Sequence, residues 1–141
     1  MTKRRTYVDA NVLIAAFQGD EATAQRAQVI LDDPERALVI SEYVRLETLP
    51  KPVFHRREEE VAFMEAIFAV AERVSSSESL VQNAVTLAAQ YDLAPVDALH
   101  ASAAIQAGVD EFVTLEKPSK PLFRLKEIRM VSIYQIHDED S

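Results

Sequence analysis

The stretch Thr6-Tyr-Val-Asp-Ala-Asn-Val-Leu-Ile-Ala-Ala-Phe17 decides the fold, because two kinds of secondary structure meet inside it. Its first three residues are β-branched or aromatic, as in buried strands, and residues 11–17 form an apolar run about two helical turns long. The pattern predicts a strand followed by a helix, with Asp9 at the junction. Helix capping is the simpler explanation of Asp9, since Asp and Asn favour that position.

Glu47 lies in a second stretch of this kind. Residues 37–40 are strand-like, and residues 41–47 predict a helix that Ser41 caps and that Pro50 and Pro52 stop. We expect Glu47 to point toward the interior of the fold from this helix. A solvated helix residue is the alternative explanation.

Asp97 and Glu116 complete a set of four acids. Asp97 stands in the first turn of a helix that is predicted to start near Pro95 and to end at Gly108. Glu116 follows the β-like residues 111–114 and so stands at a strand exit. Each also has a simpler explanation, because the helix dipole favours an acid in a first turn and because Glu116 could be a turn acid.

Between these acids, apolar residues recur mostly at helical spacing. Helices are predicted over residues 20–31, 58–73, 79–91 and 96–107, and strands over 6–8, 38–40, 111–114 and 128–133. Strands that alternate with helices imply βαβ crossovers and a parallel sheet covered on both faces. The predicted fold class is therefore α/β.

The placement of the four acids predicts a metal site. In an open parallel sheet, ligands bind beyond the carboxyl ends of the strands, so Asp9, Glu47, Asp97 and Glu116 are expected to converge on one cleft. Clustered carboxylates repel one another unless a cation lies between them, and an all-oxygen donor set selects Mg²⁺ or Mn²⁺ over zinc. The absence of cysteine and the scattered histidines agree with this donor set.

Asn11 and Thr114 are supporting candidates, because an amide and a hydroxyl beside the acids could orient a ligand or hold a water molecule. Turn and cap hydrogen bonds explain them nearly as well. His100 follows Asp97 by one helical turn, but a partly buried core histidine is the simpler interpretation, and we leave it out of the predicted site. Glu42 is another nearby acid, on a different side of the helix from Glu47.

Four motifs resemble those of one family, the PIN-domain ribonucleases, and most closely its single-domain, toxin-like (VapC-like) members. The motifs are residues 7–13, 41–47, 97–101 and 112–117, which contain the four acids in the family's order and extend over nearly the whole chain. In one respect the chain departs from the pattern: the family usually has Asp at the fourth position, where this chain has Glu116.

The resemblance implies a three-layer α/β/α fold with a short central parallel sheet. It also implies a metal-dependent endoribonuclease, in which Asp9, Glu47, Asp97 and Glu116 bind Mg²⁺ or Mn²⁺ and water cleaves RNA to leave a 5′-phosphate and a 3′-hydroxyl. A homodimer and, for a toxin-like member, a small antitoxin that blocks the cleft are the partners it implies. The stripe Val61, Met64, Ala66, Ile67, Phe68 and Val70 is either a dimer surface or core.

Two other functions remain open. A degenerate PIN domain would bind partners without cleaving RNA, and Glu116 would then be a sign that the site has decayed. A phosphatase or phospho-receiver would use Asp9 as a nucleophile, since residues 9–11 resemble an aspartyl nucleophile motif. The chain lacks the other acids that those two classes require, so this last function ranks below the others.

Length, composition and charge set further limits. A chain of 141 residues with 48% hydrophobic content is long enough for one core, so we predict a single domain over 1–136 and an acidic tail over 137–141. No apolar run is long enough for a membrane span, and cysteine is absent, so the cytoplasm is the expected location.

The net charge of −8 disfavours a nucleic-acid substrate, which normally draws on clustered Lys and Arg. Basic patches must therefore form a rim around an acidic cleft if the substrate is RNA. The candidates are residues 3–5, Arg45, Lys51, residues 56–57 and the basic residues between 117 and 129. The alternative is that these side chains simply lie on solvated faces.

Overall fold

The computed structural model describes residues 2–135, and within them a five-stranded sheet is flanked by helices. The strands are β1 (Arg4–Val8), β2 (Arg36–Ser41), β3 (Glu72–Val74), β4 (Glu111–Thr114) and β5 (Arg129–Ser132). The helices are α1 (Ala10–Gln18), α2 (Glu21–Leu31), α3 (Glu42–Thr48), α4 (Pro50–Phe54), α5 (Glu58–Val70), α6 (Glu78–Tyr91) and α7 (Pro95–Ala107), and a 3₁₀ turn spans Pro121–Arg124.

All strand pairs are parallel, and the strand order is β3-β2-β1-β4-β5. The chain moves outward from β1 through β2 to β3, and then returns to place β4 on the other side of β1. Strand order therefore reverses between β1 and β4, and the carboxyl ends of these two strands form the switch point at which α/β sheets bind ligands. The predicted α/β class with a central parallel sheet is confirmed.

Strand β1 forms because its β-branched and aromatic residues suit a sheet that is covered on both faces. Thr6, Tyr7 and Val8 are completely buried, and the ring of Tyr7 lies 4.9 Å from that of Phe112 on β4. The N–H of Asp9 then donates to the carbonyl of Val113 at 3.0 Å. The first predicted site residue is thus fixed by the sheet's own hydrogen bonding.

Helix α7 carries Asp97 and His100, and its ends are as the sequence predicts. Pro95 occupies the first turn, and Gly108 ends the helix in the left-handed region with φ +67°. Small residues let this helix be buried on several sides, and Ala101, Ser102, Ala103 and Ala104 are all within the core. Helix α7 is therefore a fixed support for the side chains of its first two turns.

One predicted helix is too long. The helix predicted over 58–73 ends at Val70, and residues 72–74 form strand β3 on the edge of the sheet. Backbone pairing with β2 overrides the local helical pattern, because Val39, Ile40 and Ser41 pair with these three residues. The side chain of Arg73 donates to the carbonyl of Phe68 at 3.2 Å and so satisfies an acceptor at the end of α5.

The helix that holds Glu47 ends before Pro50, as predicted, but a second short helix follows at once. Helix α3 ends at Thr48, the chain bends at Leu49, and Pro50 begins the short helix α4. A proline is tolerated in the first turn of a helix, because the N–H groups of that turn have no partner within the helix. Pro52 also lies in that turn.

The buried hydrophobic side chains form one cluster between the sheet and its helices. Two members of the predicted apolar stripe, Met64 and Phe68, belong to this core, whereas Val70 is largely exposed. The end of the predicted domain at 136 and the acidic tail 137–141 lie outside the described residues. Within 2–135, no helix is long and apolar enough to cross a membrane.

Candidate metal centre

Asp9 occupies the N-cap position of α1 but does not cap the helix. Its backbone is extended, with φ −68° and ψ 150°, and its side chain makes no hydrogen bond to the first turn. Instead, Oδ2 accepts a hydrogen bond from the hydroxyl of Thr114 at 2.8 Å, and the residue is only 6% exposed. Capping therefore does not explain Asp9, and its carboxylate is held by β4 at the switch point.

Thr114 connects the predicted residues of β1 and β4. Its hydroxyl donates to Asp9 and accepts from the Asn11 side-chain amide at 3.3 Å and from the Glu116 N–H at 3.1 Å. One donor and two acceptor positions are all that a hydroxyl has, so its hydrogen-bonding capacity is filled. This arrangement uses Oδ2 of Asp9 and leaves Oδ1 on the side that faces His100.

Asn11 ties helix α1 to the chain that leaves β4. Its Oδ1 accepts from the N–H of Leu115 at 3.1 Å, while its amide nitrogen donates to Thr114. These contacts join residues more than 100 positions apart, so they are not the local turn or cap bonds that the sequence offered as an explanation. Asn11 orients the hydroxyl that is bonded to Asp9, and its role toward a ligand stays a prediction.

Glu47 lies in the last turn of α3 at the mouth of the cleft, and its side chain is 41% exposed. Its Oε1 makes a short hydrogen bond with Nε2 of His100. Glu47 thus points toward Asp9 and α7, although it is less buried than the sequence predicts. The neighbouring acid Glu42 instead pairs with Arg45 at 3.3 Å.

His100, which the sequence alone does not assign to the site, lies between the carboxylates of Asp9 and Glu47. The side chain is 1% exposed, its Nδ1 lies 2.7 Å from the Tyr7 hydroxyl, and its Nε2 lies 3.8 Å from Oδ1 of Asp9. Among the described residues, Asp9, Glu47 and His100 form the group whose potential ligand atoms all lie within 4.8 Å of one another. In the sequence, the one signal for His100 is its position one helical turn after Asp97, and that spacing does not reveal Tyr7 or Glu47 as its hydrogen-bond partners.

Asp97 is half-buried in the first turn of α7 and is close enough to influence the other acids. Burial raises the pKa of Asp97, nearby Glu47 raises it further, and His100 partly opposes the rise. Burial likewise raises the pKa of Asp9, against the influence of His100 and the Thr114 hydrogen bond, and both Glu47 and Asp97 add to the rise. The acids are therefore in mutual repulsion, which a divalent cation held by their oxygens would relieve.

Glu116 lies two residues beyond β4, as predicted, and its backbone is held on both sides. Its N–H donates to Thr114, and its carbonyl accepts from the hydroxyl of Ser132 at 2.6 Å. The carboxylates of Glu116 and Asp97 are not in the group of atoms within 4.8 Å that contains Asp9, Glu47 and His100. Metal-binding roles for all four acids stay predictions.

The basic patch at residues 3–5 is not on the rim of the cleft. It lies where β1 begins, whereas Asp9 follows the other end, roughly 16 Å away for a strand of this length. Arg4 and Arg5 are also engaged in structural ion pairs, with Glu111 at 3.5 Å and with Glu72 at 2.5 Å. On the side of the cleft, Lys117 lies over the ring of Tyr134.

Residues 6–117 match the family model of the PIN domain. Similar solved structures include VapBC2 from Rickettsia felis bound to a DNA fragment from their promoter, with 15% identity and a TM-score of 0.68 over 91% of this chain and 98% of that chain. A toxin-antitoxin complex from Klebsiella pneumoniae has 20% identity and a TM-score of 0.68 over 93% and 99% of the two chains.

The Mycobacterium tuberculosis toxin VapC20, which cleaves the sarcin-ricin loop, has 16% identity and a TM-score of 0.65 over 88% of this chain and 98% of that chain. No curated protein matches this sequence significantly. At such low identities the structural likeness demonstrates the fold, whereas the family model covers most of the chain, including all four predicted acids. The chain therefore belongs to the PIN domain family.

Proposed function

We propose that this protein is a metal-dependent endoribonuclease that hydrolyses RNA phosphodiester bonds in the cleft at the switch point. The observation that carries the proposal is the state of Asp9, a buried carboxylate that caps no helix. Its burial raises its pKa, and two nearby acids, Glu47 and Asp97, raise it further. Such an arrangement is unfavourable in itself and fits a site that binds a cation.

Asp9, Glu47, Asp97 and Glu116 would hold Mg²⁺ or Mn²⁺, since oxygen donors of this kind suit both ions. A bound ion of this class lowers the pKa of a water molecule and stabilises charge on the attacked phosphate. The protein's own part is positional. Thr114 and Asn11 fix the orientation of Asp9, and burial keeps bulk water away from it.

A pool of mixed RNAs incubated with purified protein and Mn²⁺ or Mg²⁺ tests the proposal. We expect cleavage that is lost in EDTA and in Asp9→Asn, a change that keeps the shape and the Thr114 hydrogen bond but removes the charge. Glu42→Gln is a matched control, because Glu42 pairs with Arg45 and lies outside the group of close ligand atoms. Equal cleavage by Asp9→Asn and the wild type would contradict the proposal.

The alternative is a PIN domain that has lost its activity and acts as a binding module. The observation that favours it is that two of the four acids, Asp97 and Glu116, lie outside the group formed by Asp9, Glu47 and His100. Metal titration distinguishes the two functions, because a decayed site should bind Mn²⁺ poorly. Restoring the family's usual acid with Glu116→Asp should then increase Mn²⁺ affinity.

The partner of the nuclease would be a small antitoxin protein, because similar structures include toxin-antitoxin complexes from Rickettsia felis and Klebsiella pneumoniae. Co-purification from a strain that carries the gene beside this one tests this partner, with inhibition of RNA cleavage as the functional readout.

A homodimer is the expected assembly, and the exposed Val70 at the end of α5 is a candidate contact. The cytoplasm, which supplies RNA and Mg²⁺, is the proposed location.

A further inference from the structure

A buried line of hydrogen bonds runs from strand β2 to the mouth of the cleft. The hydroxyl of Ser41 lies 2.6 Å from that of Tyr7, and the Tyr7 hydroxyl lies 2.7 Å from Nδ1 of His100. Nε2 of His100 then contacts Glu47. Ser41 and Tyr7 are fully buried and His100 is 1% exposed, so the groups of this line have few other partners.

The direction of these hydrogen bonds follows from the supply of donors and acceptors. The Ser41 hydroxyl accepts a hydrogen bond from the N–H of Tyr43 at 3.2 Å and so caps helix α3. If Ser41 donates to Tyr7, then Tyr7 donates to Nδ1 of His100, and every group in the line is satisfied. A tyrosine hydroxyl has an ordinary pKa of about 10 and therefore keeps its proton at neutral pH.

The opposite direction leaves a buried donor without an acceptor. If Nδ1 of His100 carried the proton, it would donate to Tyr7, and Tyr7 would donate to Ser41. The Ser41 proton would then have no acceptor within hydrogen-bond distance in residues 2–135, and leaving a buried donor unpaired is unfavourable. The unprotonated Nε2 would also face an acceptor oxygen of Glu47. The first direction is the favourable one.

We infer that His100 is a positioning residue and not a metal ligand: Tyr7 fixes its Nε2–H tautomer, and that N–H holds the Glu47 carboxylate over the cleft. One Glu47 oxygen is engaged by His100, which leaves the other for the metal ion. The inference rests on the proposed function for its metal, but the tautomer belongs to the protein alone. The three-residue group of Asp9, Glu47 and His100 is then two acids and the donor that orients one of them.

The tautomer is measurable by ¹⁵N NMR of histidine-labelled wild-type protein, with and without Mg²⁺. The chain has three histidines, and His55 is exposed, so His55→Gln and His137→Gln assign the His100 signals by elimination. We expect a proton on Nε2 in both samples. An Nε2 without a proton, or one that loses its proton when Mg²⁺ is added, overturns the inference in favour of imidazole ligation. This measurement requires no change at His100.

Two variants of similar length test the positioning role. His100→Gln places an amide donor near the position of Nε2, whereas His100→Met has no donor. Because groups that orient metal ligands typically contribute 10- to 100-fold in affinity, we expect Mn²⁺ affinity to fall about that much in His100→Met and to be mostly retained in His100→Gln. Equal affinities in the two variants overturn the inference.

His55→Met is the matched control for removal of an imidazole away from the cleft, and its Mn²⁺ affinity should equal that of the wild type. Mn²⁺ binding is followed by electron paramagnetic resonance of the free ion, without reference to RNA cleavage. If the wild type binds no Mn²⁺, the proposed nuclease function fails. The ¹⁵N result in the metal-free protein still decides the tautomer on its own.

Discussion

At the scale of single residues, Asp9 is a carboxylate that the fold buries, although its charge favours solvation. Its carboxylate is 6% exposed, and the structure supplies one hydroxyl where a solvated carboxylate would have several hydrogen bonds. Residues 6–8, which precede it, are fully buried, so the chain on that side offers it no contact with water. The stability of the metal-free protein should therefore depend on the charge of this residue.

Asp9→Asn should stabilise the metal-free protein at neutral pH by about 1 kcal/mol, because it removes a buried charge from an active-site cleft. The folded pKa of Asp9 lies above the ordinary value of 3.8, so the folded state holds the proton more tightly than the unfolded chain. The destabilisation is thus fully present above the folded pKa and disappears as pH falls below 3.8. Urea unfolding in EDTA at several pH values measures the difference, and a stabilisation that persists in acid would contradict this origin.

Thr114→Val should lower cleavage about 10- to 100-fold, because the change keeps the shape of the side chain but removes the hydroxyl that orients Asp9. It also leaves the Asn11 amide and the Glu116 N–H without an acceptor. Thr114→Ser keeps the hydroxyl and is the control, with near-wild-type rates expected. A near-wild-type rate in Thr114→Val would contradict a role for the hydroxyl, and an equal loss in Thr114→Ser would show that the effect is not specific to it.

Sequence reasoning at this scale depends on distance along the chain. Asp9 and Asn11 were recognisable because a strand and a helix meet around them. His100 is buried, as predicted, but its contacts were not predictable, because its hydrogen-bond partners Tyr7 and Glu47 are 93 and 53 residues away and belong to other elements. Spacing within one helix indicates which side chains share a face, but it does not identify the groups that the face will meet.

At the scale of elements, the ends of helices and strands determine where site residues lie. Ser41, Pro95 and Gly108 act at element boundaries as their residue types predict, since caps are local interactions. Strand β3 was missed because its three residues become a strand only by pairing with β2, which lies about 30 residues earlier in the chain. Elements that depend on such distant pairing have a weak local signal.

Gly108→Ala should destabilise the protein by roughly 1–2 kcal/mol, because Gly108 has φ +67° and a side chain in that region is strained. Space is not the cause, since an added Cβ would meet its nearest neighbour, Arg5, at 3.9 Å. Gly108→Asn is the matched control, because Asn tolerates this region better and should cost less. Thermal unfolding of the two variants measures the difference, and equal losses would contradict strain as the cause.

At the scale of the whole molecule, the two ends of the parallel strands have different roles. The acids of the cleft lie at the carboxyl ends, whereas a buried ion-pair network lies at the amino ends around Glu111, which is 1% exposed. Its Oε2 accepts from Arg36 and from the Thr6 hydroxyl, both at 2.7 Å. This network joins β1, β2 and β4 near their amino ends, and it should contribute to stability without taking part in chemistry.

Glu111→Gln should therefore destabilise the fold by about 3 kcal/mol, because it removes the buried carboxylate that pairs with Arg36 and leaves that guanidinium with the less buried Asp33. Cleavage per folded molecule should not change. Glu72→Gln is the control, since the Glu72–Arg5 pair is substantially exposed and such pairs contribute about 1 kcal/mol or less. Urea unfolding measures stability, and RNA cleavage rates measured well below the unfolding midpoint measure activity. A lower cleavage rate in fully folded Glu111→Gln would contradict this division of roles between the two ends of the strands.

Metal binding should reverse the order of stability of the wild type and Asp9→Asn. A ligand that binds only the folded state stabilises it, by about 2.7 kcal/mol when present at 100 times its dissociation constant. Mn²⁺ should thus raise the unfolding midpoint of the wild type and leave that of Asp9→Asn nearly unchanged, although the variant is the more stable protein in EDTA. Ca²⁺, which prefers larger and more flexible oxygen sites, should raise the wild-type midpoint less. An equal rise in both proteins would mean that Mn²⁺ binds outside the cleft, and it would contradict a cation site at Asp9.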